Sequence, residues 1–111
     1  MMKSTNEVIL QAHDLDAAKA FYRDVLGFPV VVDMERPRDS QRVVGFNTGS
    51  FNLYFERGND STPVFEFEVA DIAAAKEHLL GAGCSLVEEN PAIPRCYLRD
   101  PFGLVFNLTE S

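Results

Sequence analysis

The chain has 111 residues, 46% of them hydrophobic, and a formal net charge of −7. It is long enough for one domain with its own core and too apolar for disorder. Its acidity disfavours nucleic acid and anionic membrane surfaces, which need clustered cations, and no run approaches the roughly 18 apolar residues of a membrane helix.

Glu7 to Ala12 predicts a short strand with Val8 and Leu10 on one face. Asp14 is placed to cap a helix running to about Leu26, with Leu15, Ala18, Tyr22 and Val25 as its apolar stripe, widened by Phe21 and Leu26. Gly27 ends it, since a left-handed residue costs glycine least. Phe28 to Asp33, with its β-branched Val30-Val31-Val32, predicts a second strand, and the charged stretch Met34 to Ser40, with Pro37, a loop. Gln41 to Asn47 and Ser50 to Glu56 predict two more strands around a Thr48-Gly49 turn. Arg57 to Pro63 has the composition of a linker.

The same order then begins again. Val64 to Val69 alternates Phe65, Phe67 and Val69 with Glu66 and Glu68, as a half-buried strand does. Asp71 caps a second helix with Ile72, Ala75, Leu79 and Ala82 on its apolar face, ending near Gly81 and Gly83. Ser85 to Glu88 predicts a strand, Asn90 to Pro94 a loop, and Arg95 to Arg99 another strand. Asp100-Pro101-Phe102-Gly103 is a turn feeding the last strand, whose Phe106-Asn107-Leu108 repeats Phe51-Asn52-Leu53.

This is an internal duplication, and it governs the fold. One domain spans 1–111, built from a module at about 6–57 and another at about 63–110. The expected class is α+β: two tandem strand–helix–strand–strand–strand modules forming curved mixed sheets, each with a helix on one face. Strand parity puts Val8, Leu10, Phe51, Leu53, Phe55, Phe65, Phe67, Val69, Leu104, Phe106 and Leu108 on the helix side. The open side carries Glu7, Ile9, Gln11, Asn52, Tyr54, Glu56, Val64, Glu66, Glu68, Val105, Asn107 and Thr109, the mixture expected of a ligand cup.

Little else points to chemistry. Cys84 and Cys96 lack disulfide-framework or metal-ligand spacing, and both read as half-buried strand thiols. His13 precedes a helix cap and His78 sits within a helix, so neither stands in a recognisable nucleophile arrangement. The residues before Glu7 lack the apolar core of a signal peptide, which makes the cytoplasm the expected compartment.

Asp14-Leu15 leading to Phe21-Tyr22 and Val25-Leu26-Gly27, Val69-Ala70-Asp71-Ile72 in the second module, and Asp100-Pro101-Phe102-Gly103 resemble the vicinal oxygen chelate superfamily. That group includes glyoxalase I, extradiol dioxygenases and bleomycin-resistance proteins, and the likeness runs from about Glu7 to Thr109. In the superfamily's enzymes a divalent metal sits on the open face. The resemblance carries its four ligand positions onto Glu7, Asn52, Val64 and Asn107. Val64 has no donor atom and two others are neutral amides, so three of the four depart from the enzyme pattern.

The resemblance therefore implies a protein like the metal-free bleomycin-resistance members: a homodimer with no cofactor and no metal, binding or sequestering a small molecule. Glu7, Glu56, Glu66 and Glu68 beside Tyr54 would favour a cationic aromatic ligand, unless those carboxylates simply face water. Ile9, Gln11, Asn52, Val64 and Asn107 complete the expected ligand-binding set. Asn52 and Asn107 either shape that groove or satisfy neighbouring backbone groups. The alternative is a lyase, isomerase or dioxygenase of the same superfamily, working through an atypical metal site or a lone carboxylate base such as Glu7 or Glu66.

Overall fold

The structure, a computed structural model, describes residues 2–93 and 95–111. Pro94, at the end of the loop read from the sequence as Asn90 to Pro94, lies outside the described residues. The chain forms two compact units: Asn6–Pro63, and Val64–Ser111 together with the residues before Asn6. Both have α+β architecture, with a mixed sheet and one helix.

The first unit holds most of β1 (Lys3–Ala12), then α1 (Leu15–Ala20), β2 (Val30–Glu35), β3 (Arg42–Asn47) and β4 (Asn52–Arg57). Its strand order is β2-β3-β4-β1, with β1 parallel to β4 and the remaining pairs antiparallel. Asp14 caps α1 as its sequence predicts, its carboxylate accepting from the Ala17 N–H at 3.0 Å. After Ala20 the helix widens into a π turn over Phe21–Val25, where the Leu26 N–H donates to the Phe21 carbonyl at 3.1 Å. The wider turn carries Val25 off the predicted stripe, leaving it 68% exposed, with Phe21 and Leu26 also outward. Leu15, Ala18 and Tyr22 do face the sheet, where Tyr22 packs 4.8 Å from Phe55 and 5.6 Å from Phe46 between ring centroids. Gly27 follows at φ +78°, the left-handed conformation expected of it.

The second unit contains β5 (Val64–Val69), α2 (Ile72–Gly81), β6 (Ser85–Asn90), β7 (Arg95–Arg99) and β8 (Val105–Glu110). Its order is β5-β8-β7-β6, with β5 parallel to β8. Asp71 caps α2 through the Ala74 N–H, and Ile72, Ala75 and Leu79 pack on Val69, Leu98, Phe106 and Leu108; Ala82 lies beyond the helix, exposed. Asp100 holds the turn before β8 by accepting from the Phe102 and Leu104 N–H groups at 2.8 and 3.0 Å, with Gly103 at φ +105°. Each fully buried Leu or Phe of these two cores contributes about 1.5–3 kcal/mol.

Several boundaries differ from expectation. β1 starts at Lys3 rather than Glu7, and Lys3–Thr5 belong to the second unit. β2 runs through Met34 and Glu35, which the charged stretch had assigned to a loop, and β6 continues to Asn90. Phe51, Phe65 and Leu104, read as core, are exposed: Phe51 and Leu104 lie one residue before β4 and β8, and Phe65 is the second residue of β5. Among the described residues, no helix is long and apolar enough to cross a membrane.

Candidate functional site

Sheet register builds the site in the first unit. Val30 pairs with Phe46 but Val32 pairs with Gly45, so Val31 is the extra residue of a β-bulge on β2. The bulge turns Val32 and Met34 to the face opposite α1. Across the sheet the rows then read Val32–Gly45–Tyr54–Ile9 and Met34–Val43–Glu56–Gln11, with Asn47–Asn52–Glu7 alongside. Cross-strand partners share a face, so these rows form one surface.

That surface holds a cavity of about 250 Å³ lined by Glu7, Ile9, Val32, Met34, Arg36, Val43, Tyr54 and Glu56. Gly45 leaves room for the Tyr54 ring: a Cβ there would lie 2.5 Å from Tyr54 Cε1 and 2.7 Å from Val32 Cγ1. The walls are aliphatic apart from one aromatic ring, two carboxylates and one guanidinium. Counting Glu7 and Glu56 against Arg36 leaves the lining one negative charge.

Arg36 lies in the tight β2–β3 connection, where its N–H donates to the Gln41 carbonyl at 2.8 Å and its own carbonyl accepts from Ser40 at 2.8 Å. Its guanidinium donates twice to Asp39, from Nε to Oδ1 at 3.1 Å and from Nη2 to Oδ2 at 2.7 Å. The remaining nitrogen, Nη1, donates to Glu56 Oε1. Burial alone would lower the pKa of Arg36, but Asp39 and Glu56 outweigh it and hold the guanidinium above its ordinary value. The same contact with Arg36 holds Asp39 below the usual carboxylate range. Glu56 itself is 9% exposed, a carboxylate that must keep a cation or hydrogen-bond donors close.

The expected ligand set divides between the two units. Glu7, Ile9, Tyr54 and Glu56 line the cavity, and Asn52 sits beside Glu7 in register without lining it. Gln11 turns to the linker instead: its Oε1 accepts from the Asp60 N–H at 3.0 Å. Val64, Glu66, Glu68 and Asn107 belong to the second unit. There Glu66 accepts from Thr5 Oγ1 and from Asn107 Nδ2, both at 3.1 Å, while Glu68 meets Lys3 at 3.6 Å.

Asn107 is only 6% exposed, and its Oδ1 accepts from the Cys96 N–H at 2.9 Å. Of the two roles open to it, the structure displays backbone satisfaction. Register also changes the pairing of the four inherited metal positions. Asn52 neighbours Glu7 on the adjacent strand, but Asn107 neighbours Glu66, and Val64 lies two residues away along β5. Val64 is buried and offers no donor atom, and the oxygen of Asn107 is already engaged. These four residues do not fit a divalent metal. Among the described residues, no group of three or more His, Cys, Asp or Glu side chains is arranged to hold one.

Sequence reasoning missed Val32, Met34, Arg36 and Val43. Continuing the period-2 pattern of β2 past Asp33 would have added Met34 to a strand, but its face depends on a bulge that leaves no local signature. A larger hollow of about 620 Å³ lies along α2, between Met2, Val69 and the helix residues Ala74, Ala75, His78 and Leu79. Its Asp71 carboxylate already caps α2, and its lining offers little convergent polar chemistry. The smaller cavity joins a ring, carboxylates and a guanidinium, and is the better candidate. Cys96 is buried in the second core, which raises its thiol pKa and suits packing rather than reactivity.

The glyoxalase-like domain family matches residues 7–109. Among solved structures, a hypothetical protein from Bacillus halodurans superposes with a TM-score of 0.73 at 11% identity, over 99% of this chain and 94% of its own. A glyoxalase/bleomycin resistance protein/dioxygenase superfamily member from Vibrio splendidus gives 0.65 at 20% identity, over 100% of both chains. Methylmalonyl-CoA epimerase from Streptomyces coelicolor, in complex with 2-nitronate-propionyl-CoA, gives 0.66 at 18% identity, over 100% of this chain and 99% of its own. No curated protein sequence matches. The chain belongs to the glyoxalase-like domain family, within the superfamily its helix and turn signatures resemble.

Proposed function

We propose that this protein binds a small, partly apolar, cationic molecule without a metal, in the cavity of its first unit. The observation that carries this reading is the lining: aliphatic walls, the Tyr54 ring, and a net negative charge contributed by Glu7 and Glu56 against Arg36. A cation is attracted to carboxylates in a partly desolvated pocket and to the face of an aromatic ring, the latter by about 0.5–2 kcal/mol. The volume, about 250 Å³, falls near the lower end of small-molecule pockets, which favours a compact ligand. Glu7, Ile9, Tyr54 and Glu56 are the sequence-derived residues assigned to contact it.

A thermal-shift screen of chelator-treated protein against arylalkylamines, catechols and thiol adducts of 2-oxoaldehydes tests the reading, each compound with and without divalent metals. The amines are expected to raise the melting temperature equally in both conditions. A shift seen only with metal, or only for the adducts or catechols, would return the protein to the enzymatic reading.

A further inference from the structure

We propose that Arg36 is a built-in competitor for the ligand's cation: binding exchanges the guanidinium on Glu56 for the ligand's ammonium group. The inference rests on the binding reading above and specifies which chemical class the site selects.

Glu56 is nearly buried in the cavity wall, where an ionised carboxylate is costly without a cation beside it. In the protein alone, Arg36 Nη1 is that cation. A neutral ligand entering the cavity gains only apolar contact with Ile9, Val32, Met34 and Tyr54. An ammonium ion can take the Arg36 position on Glu56, so the carboxylate exchanges one cation for another and remains paired.

The connection between β2 and β3 makes that exchange cheap. Asp39 holds Arg36 through two parallel hydrogen bonds of 3.1 and 2.7 Å, and also accepts from the Gln41 N–H at 3.1 Å. When Nη1 leaves Glu56, the guanidinium therefore keeps a bidentate carboxylate partner. The same arrangement disfavours anions, since Arg36 is already matched by two carboxylates. The selected class is a compact apolar monocation, an arylalkylamine being the simplest case.

The test measures binding of 2-phenylethylamine and of 2-phenylethanol, its uncharged counterpart, by calorimetry to wild type, Arg36→Met and Glu56→Gln. Removing the competitor in Arg36→Met is expected to tighten the amine by about tenfold or more, with the alcohol unchanged. Glu56→Gln, which keeps the side-chain shape, is expected to weaken the amine by about the same factor and again spare the alcohol. If Arg36→Met does not fold, Arg36→Gln, which removes the charge but keeps a polar side chain, takes its place with the same expectation. Binding of both compounds with a ratio that the Arg36 variant leaves unchanged would overturn the exchange while leaving the cavity as a binding site. Failure of both compounds to bind wild type would overturn the binding reading itself, and the exchange with it.

Discussion

Replacing Gly45 with alanine is expected to weaken ligand binding strongly at modest cost to the fold. The added methyl would sit 2.5 and 2.7 Å from Tyr54 Cε1 and Cδ1 and 2.7 Å from Val32 Cγ1, well inside contact distance. Two effects oppose each other. Alanine restricts the unfolded chain more than glycine, which stabilises by about 0.4–1 kcal/mol. Overpacking costs about 1–3 kcal/mol, so a net loss of around 1 kcal/mol is expected. The ring is the side that can move, and the cavity is the space it can move into. Calorimetry should therefore show affinity falling by at least about tenfold while thermal denaturation shows a fold that is still cooperative. Gly45→Ala combined with Tyr54→Leu should recover stability but not binding, because the stacking surface is gone. Recovery of binding in that double variant would show that the ring does not contact the ligand.

Asn107→Leu is expected to have the opposite profile. It strands the buried Cys96 N–H, which now donates to the amide at 2.9 Å, and removes the Nδ2 donor from Glu66. A stranded buried donor costs about 1–3 kcal/mol. For a chain of this size the melting temperature should fall by roughly 4–12 °C. Asn52→Leu should stay within about 0.5 kcal/mol of wild type, since among the described residues the Asn52 side chain makes no hydrogen bond. Thermal melts of both variants check this directly. Equal destabilisation would mean that the two repeated triplets are equivalent in structure as well as in sequence, against the asymmetry described above.

That asymmetry shows what could be read from the chain and what could not. The helix caps at Asp14 and Asp71, the alternation in Val64 to Val69 and the Asp100-Pro101-Phe102-Gly103 turn are local signals with local physical causes. They were legible and they define the fold. Duplication also invited a one-to-one alignment of Phe51-Asn52-Leu53 with Phe106-Asn107-Leu108. Register breaks it: Asn52 pairs with Glu7 whereas Asn107 pairs with Glu66, although each module carries a bulge at the matching place, Val31 on β2 and Val87 on β6. A bulge is decided by pairing between strands, so parity counted within one strand passes over it. For the same reason Met34 and Arg36 were hidden: a charged, proline-containing stretch resembles a loop until its partner strand is known.

Glu66 and Glu68 show a second limit. Alternation identifies the face on which a carboxylate lies but not its partners. Here a Thr5 hydroxyl, an Asn107 amide and a Lys3 ammonium come from strands distant in sequence. Glu56 is the comparable case in the first unit, where the partner comes from a connection read as loop. The carboxylates on the open face suggested a cationic ligand, and the cation now visible at Glu56 is the protein's own.

The cavity bounded by Tyr54, Glu7 and Glu56 is expected to take a ligand without a metal. A crystal structure of chelator-treated protein grown with 2-phenylethylamine tests it most directly. Density for the amine is expected in that cavity, with its nitrogen within hydrogen-bond distance of Glu56 and the Arg36 guanidinium on Asp39 alone. Density for the amine elsewhere, or an anomalous peak from a metal coordinated on the open face, would contradict it.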